Sequence, residues 1–515
     1  MQYPHPCDLN TASAVLFDVV VLAGGEAKRM SPLCDAKPKP LLPLCNRPLI
    51  WYTIKPLVTA GCKKIYICAH DDTMPILQHY LSTAQDFENV VFHFVRVPMY
   101  LEDDTPTDTA DALRCFQEFR KGENPTTIGE KQAKGLLRDV MVLSCDIILA
   151  NVDLQPFVSN FYQSFASAST LLMRAPKKEE RKEAHYSADD ACFVALENES
   201  KGDSSTDPVA PDITHERLHL HSVDTSEISL DLTCGFLARR PNLTMSKSML
   251  DVHVYLLRSW VVDYVVAHKE LRNIREEVIA ELAFSQHWSV SDHGTEDPST
   301  KLNYKIPSHW LLAVNSTRSV AALNSMQASQ PASWDENRCF ATIYSHHPLH
   351  RIVRVNSKER YKTISEEIVV GLLQPVSLVT SPLSAMVIRQ LKQETEDTVR
   401  GAGPLKAKGT ALLSVPPADA KIGRSVVGRN VKIGKGCNIR QCVLMDNVEI
   451  GDGCTLKDTV VCAGVQIAAK EEVGPRPGAT VEVIAASALA VDESESNISQ
   501  GGDADEDVDQ LGAWE

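Results

Sequence analysis

Short apolar runs recur along the first two thirds of this chain, each closed by a polar or glycine-containing turn. The runs at 19–23, 65–69, 90–97, 139–144, 170–174, 192–196, 250–257, 339–344 and 352–355 have the length and continuous hydrophobicity of strands covered on both faces. Between several of them lie stretches predicted as helices, at 48–61, 73–81, 107–114, 154–165 and 259–266. Pro48 stands where a first helical turn tolerates proline, and Pro56 should kink that helix. Thr107 or Asp108 can cap the third helix by accepting from its free N–H groups. Strands alternating with helices predict a parallel or mixed sheet with crossover helices. His93 lies inside an apolar run and reads as a packed side chain.

A different period takes over near the C-terminus. Apolar residues fall at Ile422, Val427, Ile433, Ile439, Leu444, Ile450, Leu456, Val461, Ile467 and Val473, in steps of 5 or 6 that sum to 17 over every three. Glycine follows at 423, 428, 434, 451 and 474. A step of about six with glycine at the corners predicts a left-handed parallel β-helix with three sides per coil. One coil cannot bury its own apolar side, so successive coils must stack into a continuous column. Ile422, Ile439, Leu456 and Val473 should then lie one above another, as should Val427, Leu444 and Val461. Cys437 and Cys454 share the 17-residue offset and should stack as well.

Composition narrows the class. A chain of 515 residues exceeds one core, so two or three domains are expected. It has 43% hydrophobic and 23% charged residues, as globular proteins do. No apolar run reaches the length of a membrane span. The first residues have neither the basic nor the apolar region of a signal peptide. Fourteen cysteines without zinc-type spacing read as reduced thiols of an intracellular protein; Cys437 and Cys442 read as core. The net charge is -15, but from Glu482 onward there are ten acids and no Lys or Arg, leaving -5 for the rest. Such a balance disfavours nucleic acid as a direct partner.

The candidate chemistry sits at the end of the first run. Gly24 and Gly25 follow it, then Lys28 and Arg29, then Lys37-Pro38-Lys39-Pro40-Leu41. Glycines beyond a strand let backbone N–H groups approach phosphate, and Arg and Lys supply the counter-charge. The same residues also suit an ordinary strand-turn-helix with solvated bases. Asp146 ends the run at 139–144, where active groups of open sheets sit. It can hold a metal ion together with other oxygen ligands, or cap the following turn. The pattern lacks the Gly-Lys-Ser/Thr of a P-loop and the spacing of the dinucleotide fingerprint.

Leu22-Ala23-Gly24-Gly25, Arg29 and Pro38-Lys39-Pro40-Leu41 resemble the signature of the sugar-1-phosphate nucleotidyltransferases. The resemblance implies a nucleotidyltransferase-like, Rossmann-type domain with a parallel or mixed sheet. It implies a nucleotide pocket lined by Gly24, Gly25, Arg29, Lys39 and Thr109, with Asp146 as the metal-holding carboxylate. Three departures fall in that pocket. The family's Gly-Thr is Ala27-Lys28 here, a base-pocket glycine is Asp108, and a sugar-pocket glycine is His253. The site therefore reads as vestigial, with no catalytic residue and Asp146 as the vestigial metal candidate.

A nucleotidyltransferase-like domain followed by hexapeptide repeats resembles most the gamma-type branch of the eukaryotic translation initiation factor 2B family. The segments that carry this are 47–52, 109–114, 142–146, 251–255, 274–278 and 355–357, with Tyr361 further on. By that resemblance the chain is a non-catalytic subunit of a cytosolic guanine nucleotide exchange factor. It pairs with a catalytic epsilon subunit, joins regulatory alpha, beta and delta-type subunits, and serves translation initiation factor 2, with no membrane or nucleic-acid partner. It implies no required cofactor, although Arg29 and Lys39 are compatible with GTP or another nucleotide in the old pocket. The epsilon relative ends in a helical-repeat exchange domain, for which this chain leaves no room before its acidic tail. The alternative is a sugar-1-phosphate nucleotidyltransferase of the mannose-1-phosphate guanylyltransferase type, or its regulatory paralogue. The expected organisation is a flexible 1–14, a nucleotidyltransferase-like domain at 15–365, a linker at 366–417, the β-helix at 418–480 and a disordered acidic tail at 481–515. Exposed loops without function are expected near 177–190, 198–216 and 291–300.

Overall fold

The computed structural model describes residues 17–25, 27–35, 37–122, 138–175, 190–197, 213–223, 240, 242–286, 337–345, 351–370, 411–412, 417, 419–475 and 481–485. The expected N-terminal segment, most of the linker, the loop at 291–300 and the tail beyond 485 lie outside these residues.

Nine strands build the main sheet: β1 (Phe17–Leu22), β2 (Lys64–His70), β3 (Val91–Val97), β4 (Asp139–Ser144), β5 (Ala168–Arg174), β6 (Ala191–Glu197), β7 (Ile213–Ser222), β8 (Leu243–Leu257) and β9 (Cys339–Tyr344). Their order across the sheet is β3-β2-β1-β4-β8-β5-β9-β7-β6. The first four are parallel, β8 runs antiparallel to both its neighbours, and β5 pairs with β9 in parallel. At the far end β6 also pairs with β8, so the sheet curls back on itself there. The sheet is thus mixed, with its parallel part where the glycine loop and Asp146 emerge.

Helices cover both faces: α1 (Leu49–Thr59), α2 (Met74–Thr83), α3 (Thr109–Gly122), α4 (Gln155–Gln163), α5 (Ser259–Ala267), α6 (Ile279–Ser285) and α7 (Lys358–Val370). Alternate residues of β1 face opposite cores. Val19 and Val21 join α1 and α4 side chains, while Val20 joins Phe116 of α3 and Val261 of α5. Pro48 precedes α1 and Pro56 lies inside it. The cap of α3 is Asp108, whose Oδ1 accepts from the N–H of Thr109 at 2.6 Å. His93 packs against Tyr66, their rings 5.0 Å apart.

Two segments read as loops carry structure. β7 begins at Ile213, so 213–216 belong to a strand; nothing in the alternation there announced it, because Thr214, His215 and Glu216 are polar and their strand pairing is with the distant β9. Asp190, placed in an exposed loop, is buried at 4% exposure because it faces Arg354. The mixed-polarity segment after Val355 is helix α7, which continues past residue 365.

The C-terminal repeat forms three stacked parallel sheets. Ile422, Ile439, Leu456 and Val473 are register partners along one side. Val427, Leu444 and Val461 are partners along the second, and Ile433, Ile450 and Ile467 along the third. This is a parallel β-helix with 17 residues per coil. Cys437 and Cys454 do stack: the N–H after Cys437 donates to the Cys454 carbonyl at 2.9 Å. The coil also runs further than the periodicity showed, because Glu482–Ile484 pairs with Thr459–Val461.

One side of the β-helix is buried on both faces, with Val426, Val427, Val443, Val460 and Val461 all nearly inaccessible. It packs against the first domain in one continuous apolar cluster. Polar links frame the contact. Lys362 of α7 donates to Asp458 at 2.7 Å, Lys37 to Asp446 at 3.0 Å, and Asn46 Nδ2 to the Val427 carbonyl at 3.2 Å.

Candidate functional site

The glycine loop leaves β1 between β2 and β4. Its path is fixed by the Ala23 N–H, which donates to the Cys68 carbonyl at 2.7 Å. Gly24 lies beneath the His70 imidazole, and a Cβ there would stand 3.3 Å from Nε2. Gly25 is open, with nothing within 4 Å of such a Cβ. Ala27 holds φ at 54°, the left-handed region that glycine occupies at no cost. Lys28 and Arg29 follow in a single exposed turn.

Lys39 opens a short turn and reaches across to the end of β4. Its Nζ donates to Oδ2 of Asp146 at 2.5 Å. Asp146 is fully buried. Ser144 Oγ donates to its Oδ1 at 2.5 Å, and Arg354 Nη2 donates to Oδ2 at 3.2 Å. Burial alone would raise the Asp146 carboxyl, but Arg354 and Lys39 hold it well below the usual carboxylate range. The side chain neither caps the next turn nor stands open to a ligand; it is the acceptor of two cations.

Arg354 extends the cluster. Its Nη1 donates to Asp190 Oδ1 at 2.6 Å, and Asn356 Nδ2 donates to the same oxygen at 3.0 Å. Burial raises the Asp190 carboxyl, against the pull of Arg354 and Arg360. The sequence pattern points to none of these partners. Arg354 sits in the strand Arg351–Arg354, which read only as a short apolar run.

The segment around His253 is built on a bulge in β8. Against β5, residues 251 and 255 pair with positions only two apart, so the bulged strand carries extra residues between them. Bulges turn a side chain away from its regular direction. His253 sits on this bulge with φ at 56°, in the left-handed region that favours glycine. The imidazole is enclosed, and burial together with Arg354 pushes its pKa well below that of an ordinary histidine. Beneath it, Asp251 accepts from the Tyr255 hydroxyl at 3.1 Å, His221 Nε2 lies 3.1 Å from Oδ2, and the His253 N–H donates to Oδ1 at 2.8 Å. Burial alone would raise the Asp251 carboxyl, but the hydrogen bond from His221 and the charge of Arg275 hold it below the usual range.

The start of α3 is likewise occupied. Thr109 Oγ1 accepts from the Ile274 N–H at 2.9 Å, and Asp108 Oδ2 accepts from Asn273 Nδ2 at 3.0 Å. Of the six sequence-assigned positions, Lys39 and Asp146 are in contact, Gly24 and Gly25 adjoin them at the strand ends, and Thr109 is committed to the 274–278 turn. Arg29 stands on the exposed turn of the loop.

Comparison with known proteins agrees with this architecture. Residues 18–184 match the family described as nucleotidyl transferase, and residues 414–486 match a GlmU-like C-terminal hexapeptide family. The translation initiation factor eIF2B subunit gamma of Dictyostelium discoideum is 23% identical over 441 residues, which are 81% of this chain and 88% of that protein. The subunit of the same name from Schizosaccharomyces pombe is 23% identical over 275 residues, 53% of this chain; the match spans about half of that protein, 52%. A mannose-1-phosphate guanyltransferase of Hypocrea jecorina is 32% identical over 100 residues, only 19% of this chain and 26% of that enzyme.

The nucleotidyltransferase fold implies a divalent ion at the carboxylate that ends β4. The residues present do not fit one. Both oxygens of Asp146 are committed to Lys39, Arg354 and Ser144. Among the described residues no three His, Cys, Asp or Glu side chains converge on a metal position.

Proposed function

We propose that this chain, which belongs to the gamma-subunit branch of the eIF2B translation initiation factor family, works as a non-catalytic scaffold of a cytosolic guanine nucleotide exchange factor. It pairs with a catalytic epsilon-type subunit, joins alpha, beta and delta-type regulatory subunits, and promotes exchange of GDP for GTP on translation initiation factor 2. The observation that carries the non-catalytic part is the Lys39–Asp146–Arg354 ion cluster. A carboxylate held by two internal cations has no free oxygen to offer a metal–nucleotide, and His253 fills the sugar side. Nucleotidyl transfer places its catalysis in charge stabilisation by metal and cations around phosphate, and here that arrangement is internally neutralised.

In this reading the β-helix coils are left-handed, as hexapeptide repeats are. The pocket needs no cofactor, and any GTP it takes would rest on the Gly24–Gly25 loop and Arg29 without a metal at Asp146. Among the described residues, the two sides of the β-helix that do not face the first domain are available to other subunits.

Affinity purification of the full chain from its own cytosol at moderate salt, with mass determination of what accompanies it, tests the reading. Co-purification of an epsilon-type subunit and the GTP-binding initiation factor is expected. A free homo-oligomer that forms GDP-mannose from GTP and mannose 1-phosphate would overturn it in favour of the enzyme.

A further inference from the structure

The three sides of the β-helix treat their outward charges differently. The second side is covered by the first domain. On the third, stacked outward residues neutralise one another: Lys432 pairs with Glu449 one coil on, and Gln466 Nε2 donates to the same carboxylate at 3.1 Å. On the first side they do not. Lys421, Asn438, Thr455 and Glu472 are register partners in one outward row, and Gly423, Arg440 and Lys457 in the other. Arg440 and Lys457, both exposed, therefore stand on adjacent strands about 4.8 Å apart, with Lys421 diagonal to Arg440. Like charges placed in this way repel.

The neighbouring acids leave this excess in place. Lys421 and Arg440 have no carboxylate partner among the described residues. Lys457 Nζ is 4.0 Å from Asp458 Oδ2, but that side chain is taken up by Lys362 at 2.7 Å. Glu472 lies at the far end of its row, beyond Thr455. The surface beside Arg440 is open, because a Cβ on its register partner Gly423 would meet nothing within 4 Å. The opening coil adds to the positive charge: residues 419–435 hold Lys421, Arg424, Arg429, Lys432 and Lys435 against the single acid Asp419.

We propose that this cationic side is the docking surface for the chain's own acidic C-terminal segment, within 486–515. That segment has nine acids and no Lys or Arg, and five of the nine fall between Asp503 and Asp509. It leaves the β-helix at Glu482–Ile484, which pairs with Thr459–Val461, directly after Lys457 in the same coil. The 17 residues from 486 to 502 can reach up to about 55 Å. Lys457, Arg440 and Lys421 lie on successive coils, each a strand spacing of about 4.8 Å from the next. Tethering raises the local concentration of the carboxylates to the millimolar range, so that individually weak exposed ion pairs hold them. A subunit that uses this side must displace the segment first. The docking does not depend on the proposed function.

The test compares the full chain with the variant Asp503→Asn/Asp505→Asn/Glu506→Gln/Asp507→Asn/Asp509→Asn, reading lysine acetylation rates by mass spectrometry. Lys421 and Lys457 should react about threefold or more faster in the variant, while Lys432, held by Glu449, keeps its rate. Salt at about 1 M should bring the wild-type chain to the rates of the variant. Zero-length carbodiimide cross-linking should join Lys421 or Lys457 to acids at 503–509 within one chain, as a mixture of isotope-labelled and unlabelled copies shows. Arg440→Gln should lower that yield by about twofold or more. Equal acetylation rates without such a cross-link would overturn the proposal and leave this side to a separate acidic partner. Cross-links only between labelled and unlabelled copies would overturn it in favour of a second copy of the chain.

Discussion

Lys39 Nζ and Asp146 Oδ2 lie 2.5 Å apart, in a site where Asp146 is fully buried and Lys39 partly so. The lysine comes from the loop after the glycines and the aspartate from the end of the neighbouring central strand. Their contact ties the segment after the glycine loop to the end of the central strand β4. Arg354 adds a third element, so loop, sheet and the strand Arg351–Arg354 are held by one carboxylate.

Removing one partner of a buried ion pair strands the other charge. Lys39→Met should therefore cost about 3 kcal/mol in urea unfolding. Arg354→Met should cost more, because it leaves both Asp146 and Asp190 short of a donor. A loss below about 0.5 kcal/mol for either would show that the pair is solvated in solution.

Acid sensitivity should begin near neutral pH. His253 is held far below its ordinary pKa by burial, His215 is pushed down to about 4 and His219 to about 3. Each takes up a proton more readily when unfolded, so stability is present above about pH 6.5 and falls as the pH drops below it. The depressed Asp146 and Asp251 carboxyls add a second loss below about pH 4. The urea midpoint at pH 5.5 should lie below that at pH 7.5, and His253→Gln should flatten the difference. A midpoint independent of pH over that interval would contradict the enclosed imidazoles.

The β-helix corners differ in how much room they leave. A Cβ at Gly434 would meet the backbone of Gly451 and Asp452 at 2.5 Å, whereas one at Gly423 would meet nothing within 4 Å. Gly434→Ala should therefore destabilise by about 2 kcal/mol or more through overpacking, and Gly423→Ala should be close to neutral. Equal effects on Tm would argue against the stacked coils.

The two domains should unfold together. Their apolar cluster is continuous, and Lys362 is enclosed between Asp458 and Glu366. Lys362→Met should cost about 1–3 kcal/mol, since Asp458 loses its charged donor. A single calorimetric transition is expected for the wild-type chain. Two separated transitions would contradict a shared core.

Much of this was legible in the sequence, for physical reasons that also explain the rest. Ile422, Ile439 and Leu456 announced their stacking because a solenoid repeats its buried position at a fixed interval. The continuous runs of β1 and β4 announced buried parallel strands. Pairing that depends on distant partners was not legible. Residues 213–216 are strand only because β9 lies beside them, and Asp190 is buried only because Arg354 meets it. In the candidate site, the positions of Lys39 and Asp146 followed from the motif, and the three departures from it followed as well. Their consequence did not: a lysine and an aspartate at 107 residues' separation read as phosphate and metal ligands, and only the fold shows that they satisfy each other.

The most direct measurement follows GDP release from purified translation initiation factor 2, catalysed by the epsilon-type subunit, with and without this chain, while nucleotide-sugar formation is monitored in the same mixtures with Mg²⁺. A scaffold with a neutralised pocket should raise the release rate, keep that effect in an Arg29→Ala variant, and form no nucleotide sugar. Release unaffected by the chain, together with GDP-sugar formed from GTP and a sugar 1-phosphate, would contradict it.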